Sequence, residues 1–217
     1  MTILVEGCVE SLEDSLAAER GGAGRLELCD DLSVGGITPT SALITAVKTR
    51  VRIPVAVMIR PRGGSFVHTR AELDQMRRDL EMAKGLGADV LVFGVLNDRR
   101  EVDTATTREL VARAGETPVT FHRAFDQVAN PLAELDALID AGVCRVLTGG
   151  GPGTAEEGAD LLASLVERAA GRIGILAGGK VRSGNAAAIV ARSGVREVHA
   201  RCDLDENRIR DIVAVLA

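Results

Sequence analysis

A repeated alternation of short apolar runs with helix-like segments is the strongest constraint on this 217-residue chain. Each β-branched run is followed by a glycine, proline or polar turn and then by a segment with the apolar spacing of a helix. Strands that are apolar on both faces and alternate with helices indicate a parallel sheet covered on each side. The predicted strands span residues 3–8, 25–29, 54–59, 90–95, 118–122, 145–148, 172–177 and 197–201. The predicted helices span residues 12–20, 41–49, 70–86, 104–114, 131–141, 155–170, 183–193 and 206–216.

Eight strand-helix units that close on themselves predict an α/β fold of the (β/α)8, or TIM, barrel type with parallel strands. The alternative is an open, doubly wound sheet, but such sheets more often have about five or six strands. No linker, low-complexity stretch or charge block marks a second domain. We therefore predict a single TIM-barrel domain over residues 1–217.

Composition excludes several classes of partner. Twenty-six basic and 31 acidic side chains give a net charge of -5, which removes the electrostatic basis for general affinity to nucleic acid or anionic membranes. Trp and Tyr are absent, so base-stacking surfaces are not expected. No apolar run approaches the roughly 20 residues of a spanning helix, and the first residues lack the basic segment of a signal peptide. We expect a cytoplasmic protein with reduced thiols, and a homo-oligomer is compatible with these observations.

An acid and a thiol recur with the same spacing on the first two predicted strands. Glu6 and Cys8 end the first strand, and Glu27 and Cys29 end the second. Because side chains alternate along a strand, each pair shares one face. An outward carboxylate would be buried under a helix without a partner, at a cost of several kcal/mol, roughly. We therefore predict that both pairs point into the barrel, at the end where active sites of this fold lie.

Two inward carboxylates need partners. Arg60 and Arg62 follow the third predicted strand, and we predict charge-assisted, bidentate pairing of these arginines with Glu6 and Glu27. One reading is a structural ion-pair network that fills the top of the barrel. The other is a functional site, which is favoured because barrel interiors are usually filled by Val, Ile and Leu.

Histidines end two further predicted strands. His122 and His199 are candidates for a general acid or base near neutral pH, with Asp126 or Glu197 as an orienting partner. Each imidazole could equally hydrogen-bond a backbone carbonyl. His68 lies in the loop after Arg62 and is expected to be either a mobile lid residue or a surface residue.

Glycine-rich turns follow the sixth and seventh predicted strands, just before helices. Bare amides and a helix N-terminus in this part of a barrel commonly bind phosphate or carboxylate, although glycine there could serve only the tight turn. The candidate anion-binding residues are Arg60, Arg62, Arg123, Asp126, Gly149, Gly178, Gly179, Lys180 and His199, and the candidate catalytic residues are Glu6, Glu27 and His122.

The two inward thiols are candidate metal ligands. Cys8 and Cys29 lie on adjacent strands, about 4.8 Å apart in the hydrogen-bonding direction, and together could hold Cu(I) or, with His or Glu, zinc. A buried Cys is also a common small apolar filler, and barrel strands are staggered, so equivalent positions need not lie at one level. A nearby carboxylate raises the pKa of a thiol, which argues against a free nucleophile here. Cys144 is expected to be structural, and Cys202 is ambiguous.

Charged residues at the starts of predicted strands are expected to be solvated ends. This group comprises Arg25, Asp89, Arg145 and Arg172.

These same residues carry a resemblance to a known family, the CutC copper-homeostasis family. The matching segments are E-G-C at 6–8, R-L-E-L-C at 25–29 with G-G-I-T-P-T after it, I-R-P-R-G-G at 59–64, T-F-H-R-A-F-D at 120–126, R-V-L-T-G-G at 145–150 and E-V-H at 197–199. The resemblance implies a cytoplasmic (β/α)8 barrel linked to copper tolerance, with Cu(I) bound at Cys8 and Cys29. The chain departs from the family at Ser65 and His68, where an acidic and an aromatic residue are usual, and relatives often continue beyond the last helix.

Two functional hypotheses follow. The first is a copper-homeostasis protein that binds Cu(I) through Cys8 and Cys29. The second is a TIM-barrel enzyme that acts on a small anionic metabolite, bearing phosphate or carboxylate, by acid/base chemistry at His122 or Glu27. A barrel kept mainly as an interaction scaffold is a third reading.

Overall fold

The computed structural model describes residues 2–217 and shows eight parallel strands closed into a barrel with eight helices outside it. The barrel closes where the first strand pairs with the eighth, with Leu4 opposite Glu197. This pairing excludes the open sheet and confirms the predicted fold. The strands are β1 Leu4–Val9, β2 Arg25–Leu28, β3 Val55–Met58, β4 Val90–Phe93, β5 Val119–Phe121, β6 Arg145–Thr148, β7 Gly174–Gly178 and β8 Glu197–Arg201. The helices are α1 Leu12–Arg20, α2 Ser41–Arg50, α3 Arg70–Gly85, α4 Thr104–Ala114, α5 Pro131–Asp140, α6 Ala159–Ala169, α7 Ser183–Ser193 and α8 Glu206–Leu216.

Most helices begin at a polar residue whose side chain accepts a hydrogen bond from the first turn. Thr69 and Glu72 form a reciprocal capping box at the start of α3, and Asn130 precedes the proline that opens α5. None of the helices within residues 2–217 combines the length and the apolar character that a membrane crossing requires.

Among the element boundaries that differ from the predicted ones, two lie beside the loops after β5 and β6. Helix α6 starts at Ala159 rather than at residue 155, because Gly158 packs against the backbone of Gly149 and Gly150, where the chain must turn. Strand β5 ends at Phe121, and His122 instead caps a short 3₁₀ helix, Arg123–Gln127. The imidazole therefore lies at the junction between strand and loop.

The apolar core is divided by the sheet. The larger part lies between the strands and the surrounding helices and contains the fully buried Phe93, Phe121 and Phe125. A smaller cluster forms a separate group: Cys8, Cys29, Ala56, Met58, Val90 and Val92, all from β1 to β4 or their ends. Strands β1, β2 and β5 also bury charged and polar side chains, Glu6, Arg25, Glu27 and Thr120, at levels where a barrel usually has aliphatic ones.

A buried ion-pair network, defined here as the interior network, crosses the lower part of the barrel. Arg25 on β2 is 5% exposed and pairs with Glu6, which is 2% exposed, and with Glu197 at 2.6 Å. Glu197 also accepts from Arg145 at 2.6 Å, and Arg145 donates to Thr120 at 3.3 Å. The expectation that Arg25 and Arg145 are solvated strand ends is therefore wrong. Their side chains turn into the barrel, where the two carboxylates compensate their charges.

Removal of Arg25 should destabilise the protein strongly. Arg25→Ala leaves Glu6 and Glu197 buried with one fewer positive charge, and breaking a buried pair in this way typically costs roughly 3–5 kcal/mol. Urea unfolding followed by circular dichroism measures the change. The matched control is Arg20→Ala, which removes an exposed ion pair to Glu206 and should change the free energy of unfolding far less. Equal effects of the two substitutions would contradict this account of the interior network.

Candidate functional site

The strand register determines which groups meet at the end of the barrel. Glu6 lies opposite Arg25, and Cys8 lies opposite Glu27, so β1 and β2 are offset by two residues relative to their repeated acid-thiol pattern. Gly7 faces α1, where an added Cβ would lie 3.0 Å from the Cβ of Ala18, so Glu6 and Cys8 face inward as predicted. The offset puts a thiol level with a carboxylate and places Glu6 one layer deeper.

Two sulfur atoms lie beside one carboxylate oxygen. Cys8 Sγ is 3.5 Å and Cys29 Sγ is 3.7 Å from Oε2 of Glu27. One donor atom from each of Cys8, Glu27 and His199 lies within 4.8 Å of the others. We call Cys8, Cys29, Glu27 and His199 the thiol cluster. All four cysteines are free thiols, as predicted.

The imidazole of the thiol cluster is held from below by Glu6. His199 Nδ1 lies 2.8 Å from Glu6 Oε1, and its Nε2 lies 3.8 Å from Glu27 Oε2. Burial opposes ionisation of Glu6, but hydrogen bonds and charge from His199 and Arg25 lower its pKa to about 2. The prediction that Glu197 orients this ring is wrong, because the Glu197 carboxylate accepts hydrogen bonds from Arg25 and Arg145. Glu6 therefore orients the ring and leaves Nε2 facing the cluster.

The side chains of the thiol cluster have shifted pKa values, and those of the two cysteines shift in opposite directions. Burial raises the pKa of Glu27 well above 4.5. The hydrogen bond with the Cys29 thiol lowers the pKa of Cys8 to about 5, against the opposing effect of burial, whereas the same contact and burial raise the pKa of Cys29 well above 9.0. Burial opposes protonation of His199, but attraction to Glu27 raises its pKa well above 6.5. The expected rise in thiol pKa therefore holds for Cys29 and is wrong for Cys8.

A cavity of about 350 Å³ opens at this end of the barrel above the thiol cluster. Five of its lining residues are Arg or Lys, and Glu27 is the one carboxylate that lines it within residues 2–217. The residues that line it are Cys8, Glu27, Leu32, Gly35, Met58, Arg60, Phe66, His122, Arg123, Leu147, Gly179, Lys180, Val181, Arg182, His199, Ala200 and Arg201.

His122 forms part of the cavity wall and is neutral. Its Nδ1 accepts a hydrogen bond from the Ala124 amide at 3.2 Å, so Nε2 carries the proton, and Nε2 is buried without a partner. Burial and the charge of Arg60 lower its pKa to about 3. Gly94 leaves the space that the ring needs, because an added Cβ would lie 2.4 Å from Nδ1. The prediction that Asp126 orients His122 is wrong, because the Asp126 carboxylate accepts hydrogen bonds from Arg123 and Thr148.

Arg60 lines the cavity, but the predicted pairing of Arg60 with Glu6 and Glu27 is wrong. It is 4% exposed and donates to the carbonyl oxygens of Gly35, Gly36 and Gly64 at 3.1, 3.0 and 2.9 Å. Because β3 ends at Met58, Arg60 belongs to a loop to which strand alternation does not apply. Gly36, with φ of 82°, belongs to the loop after β2 and lets that loop lie against Cys29, where an added Cβ would be 3.0 Å from Sγ. Arg60 thereby holds the loop that covers one of the thiols.

Arg62 lies outside the cavity lining, and its predicted pairing with the two inward carboxylates is wrong. Its guanidinium binds Glu72 at 2.6 and 3.1 Å and the carbonyl oxygens of Ser65 and Val67. These contacts close the loop before α3. His68 belongs to the same loop, and its side chain is fully buried, so the expectation of a mobile lid or surface residue is wrong.

Several of the predicted anion-binding residues serve the loops instead. Asp126 accepts from Arg123 at 2.7 Å, from the Thr148 hydroxyl at 2.5 Å and from the Gly149 amide at 3.0 Å, which leaves that amide unavailable. An added Cβ at Gly178 would lie 2.5 Å from a methyl group of Leu147, so this glycine provides packing space. Arg123, Gly179 and Lys180 do line the cavity, together with His199.

The sequence reading missed Phe66, Arg182 and Arg201 in the cavity wall and Arg25 and Arg145 below it. Phe66 and Arg182 lie in or beside loops, where no periodic pattern exists, whereas Arg201 ends β8 two residues after His199 and shares its face. The signal for Arg25 was present, since it stands two residues before Glu27 and therefore shares its face.

Comparison with known proteins agrees with this geometry. The model of the CutC family matches residues 3–203. The chain belongs to the CutC family. The copper homeostasis protein cutC homologs of Mus musculus and Homo sapiens are each 46% identical to it over 196 residues, which is 90% of this chain and 72% of theirs. A solved structure of CutC from Streptococcus agalactiae has a TM-score of 0.87 and 36% identity, covering 95% of this chain and 99% of that one. The family resemblance predicted from the sequence is confirmed.

Neutral replacement of Glu27 should stabilise the protein at and above neutral pH. Because its pKa is raised by burial, the stability contributed by the protonated carboxyl is present below about 4.5 and is lost as pH rises towards the folded-state pKa. Relative to wild type, Glu27→Gln should gain up to about 1.4 kcal/mol per pH unit over that range. Urea unfolding at several pH values tests this. Glu116→Gln, on an exposed turn, is the control and should not change the pH profile, and a Glu27→Gln profile parallel to wild type would refute the assignment.

Proposed function

We propose that this CutC-family chain binds Cu(I) at the barrel mouth through Cys8 and Cys29. The observation that carries the proposal is the convergence of both sulfurs on Glu27 Oε2, at 3.5 and 3.7 Å. Thiolates are soft ligands that select Cu(I) over the hard cations. The lowered pKa of Cys8, about 5, makes one thiolate available at neutral pH without a metal.

The histidine of the thiol cluster fits the same chemistry. A metal-binding imidazole commonly donates its other ring nitrogen to a carboxylate, which fixes its orientation and increases its basicity. Glu6 stands 2.8 Å from His199 Nδ1 in this way, so Nε2 is the nitrogen directed at the cluster. Glu27 brings a further donor, since its Oε1 is buried without a partner. The cluster thus has two soft ligands and two auxiliary ones.

The setting of the cluster suits a bound ion that is delivered and released. Cys8 and Cys29 are buried, yet Cys8, Glu27 and His199 line the cavity, so an ion has a path from solvent. Free thiols at this position require a reducing compartment, and the cytoplasm is therefore the location that we infer for the protein.

An anaerobic Cu(I) titration with a competing chromophoric chelator tests the proposal. The Cys8→Ala, Cys29→Ala double variant should bind Cu(I) at least about 100-fold more weakly than wild type, because it has lost both soft ligands. Cys144→Ala is the matched control, since Cys144 is exposed and precedes β6 at the opposite end of the barrel. Equal affinity in wild type and the double variant would end this proposal.

Binding of Cu(I) should release protons and strengthen with pH. The pKa of His199 is raised well above 6.5, so the ring is protonated at neutral pH, and coordination through Nε2 must displace that proton. The apparent affinity of wild type should therefore rise between about pH 6 and about pH 8, with a smaller slope for His199→Gln. Chelator competition across this range gives both slopes. Identical slopes would exclude His199 as a ligand while leaving the thiol test unaffected.

A further inference from the structure

The cavity above the thiol cluster is far larger than one metal ion needs. Its volume of about 350 Å³ lies in the range of small-molecule sites, which runs from about 300 to about 1,000 Å³. The thiol cluster occupies the edge formed by β1, β2 and β8. Most of the remaining wall comes from the loops after β3, β5 and β7, and none of the cysteines contributes to those loops.

Arg60 carries a buried positive charge that is not paired with any carboxylate in the described part of the chain. Its terminal nitrogens bind only main-chain oxygens, and within residues 2–217 it makes no ion pair. Its Nε is buried without a partner, and its Cζ lies 4.7 Å from the centre of the Phe66 ring. A buried charge of this kind is costly unless an anion accompanies it.

His122 presents a second unsatisfied donor beside the first. Phe66 contacts both side chains, with its ring centre 4.9 Å from that of His122, so the two donors flank one aromatic ring. Nδ1 of His122 is occupied by the Ala124 amide, which leaves Nε2–H as the free group. Two N–H donors with no acceptor, next to an uncompensated charge, match the oxygens of a carboxylate.

The loops after β5 and β7 form a second cationic wall. Arg123, Lys180 and Arg182 line the cavity there, and Lys180 makes no ion pair in the described part of the chain. Gly179 has φ of 125°, which L side chains rarely adopt, and this turn places the loop after β7 in contact with the guanidinium of Arg123.

We propose that the cavity binds a small organic dianion, with a carboxylate on Arg60 Nε and His122 Nε2 and a second carboxylate or a phosphate facing Lys180. Phe66 packs against the carbon skeleton. This site shares the cavity with the thiol cluster but uses none of its cysteines. A competing explanation is that the main-chain oxygens of Gly35, Gly36 and Gly64 alone stabilise the charge of Arg60, in which case no organic anion is required.

Isothermal titration of the metal-free protein in a weakly ionic buffer tests the proposal. The probes are two compounds that each carry two anionic groups, succinate and phosphoenolpyruvate, with acetate as a monoanion and succinamide as a neutral analogue. At least one dianion should bind about tenfold or more tightly than acetate, with no heat from succinamide, because two charge-assisted contacts form. If neither dianion binds more tightly than acetate, the proposal is wrong.

Three variants locate the binding. His122→Asn keeps a side-chain acceptor for the Ala124 amide but removes the free N–H donor, and Lys180→Gln removes an exposed charge. Each should weaken dianion binding about tenfold. Arg50→Gln, an exposed charge at the end of α2, is the control and should bind as wild type does. Equal weakening in all three would indicate general charge attraction and overturn the site.

The thiol variants separate this proposal from the copper proposal. The Cys8→Ala, Cys29→Ala protein should retain dianion binding while losing Cu(I), and circular dichroism confirms that each variant is folded. Loss of dianion binding in that folded protein would overturn the claim that the anion site is independent of the cysteines. Retained dianion binding together with unchanged Cu(I) affinity would support the anion site and refute the copper proposal.

Discussion

The ion pair between Arg25 and Glu6 is the interaction on which the rest of the barrel mouth depends. Both side chains are buried, and Arg25 also holds Glu197, which in turn holds Arg145. Glu6 uses its other oxygen to hold Nδ1 of His199. The position of the imidazole beside the two thiols is thus set by charges one layer deeper. The desolvation cost of these buried charges is offset because each carboxylate in that layer interacts with cationic side chains from two different strands.

The mouth itself has two chemically different sides. The β1, β2 and β8 edge offers sulfur, a carboxyl oxygen and an imidazole nitrogen, which is a donor set for a soft cation. The loops after β3, β5 and β7 offer N–H donors and positive charge, which is a donor set for an anion. A loop held by Arg60 connects the two sides, since the same residue faces the cavity and fastens the backbone that lies against Cys29. Cation and anion would therefore bind as neighbours, each reducing the charge imbalance that the other faces.

The sequence correctly predicted which side chains face the barrel interior, but it did not predict which charged side chains pair with one another. Glu6, Cys8, Glu27 and Cys29 point inward because strand side chains alternate, and that rule needs no tertiary information. The pairing of Arg60 and Arg62 with the acids failed because both arginines lie beyond the end of β3, where loop carbonyls and Glu72 bind them instead. Arg25 was assigned to solvent although its spacing from Glu27 places it on the same inward face.

The sequence by itself determined the barrel of eight strand-helix units and the family. It also determined that several inward positions are polar, because the periodicity of apolar residues and the composition are local properties of the chain. Only the tertiary structure decided which polar groups share a level. Closing eight strands into a barrel imposes a stagger, and here that stagger sets Cys8 beside Glu27 and Glu6 beside Arg25. The depth of each residue in the barrel, and therefore its partner and its chemistry, follows from that closure, which no single strand encodes.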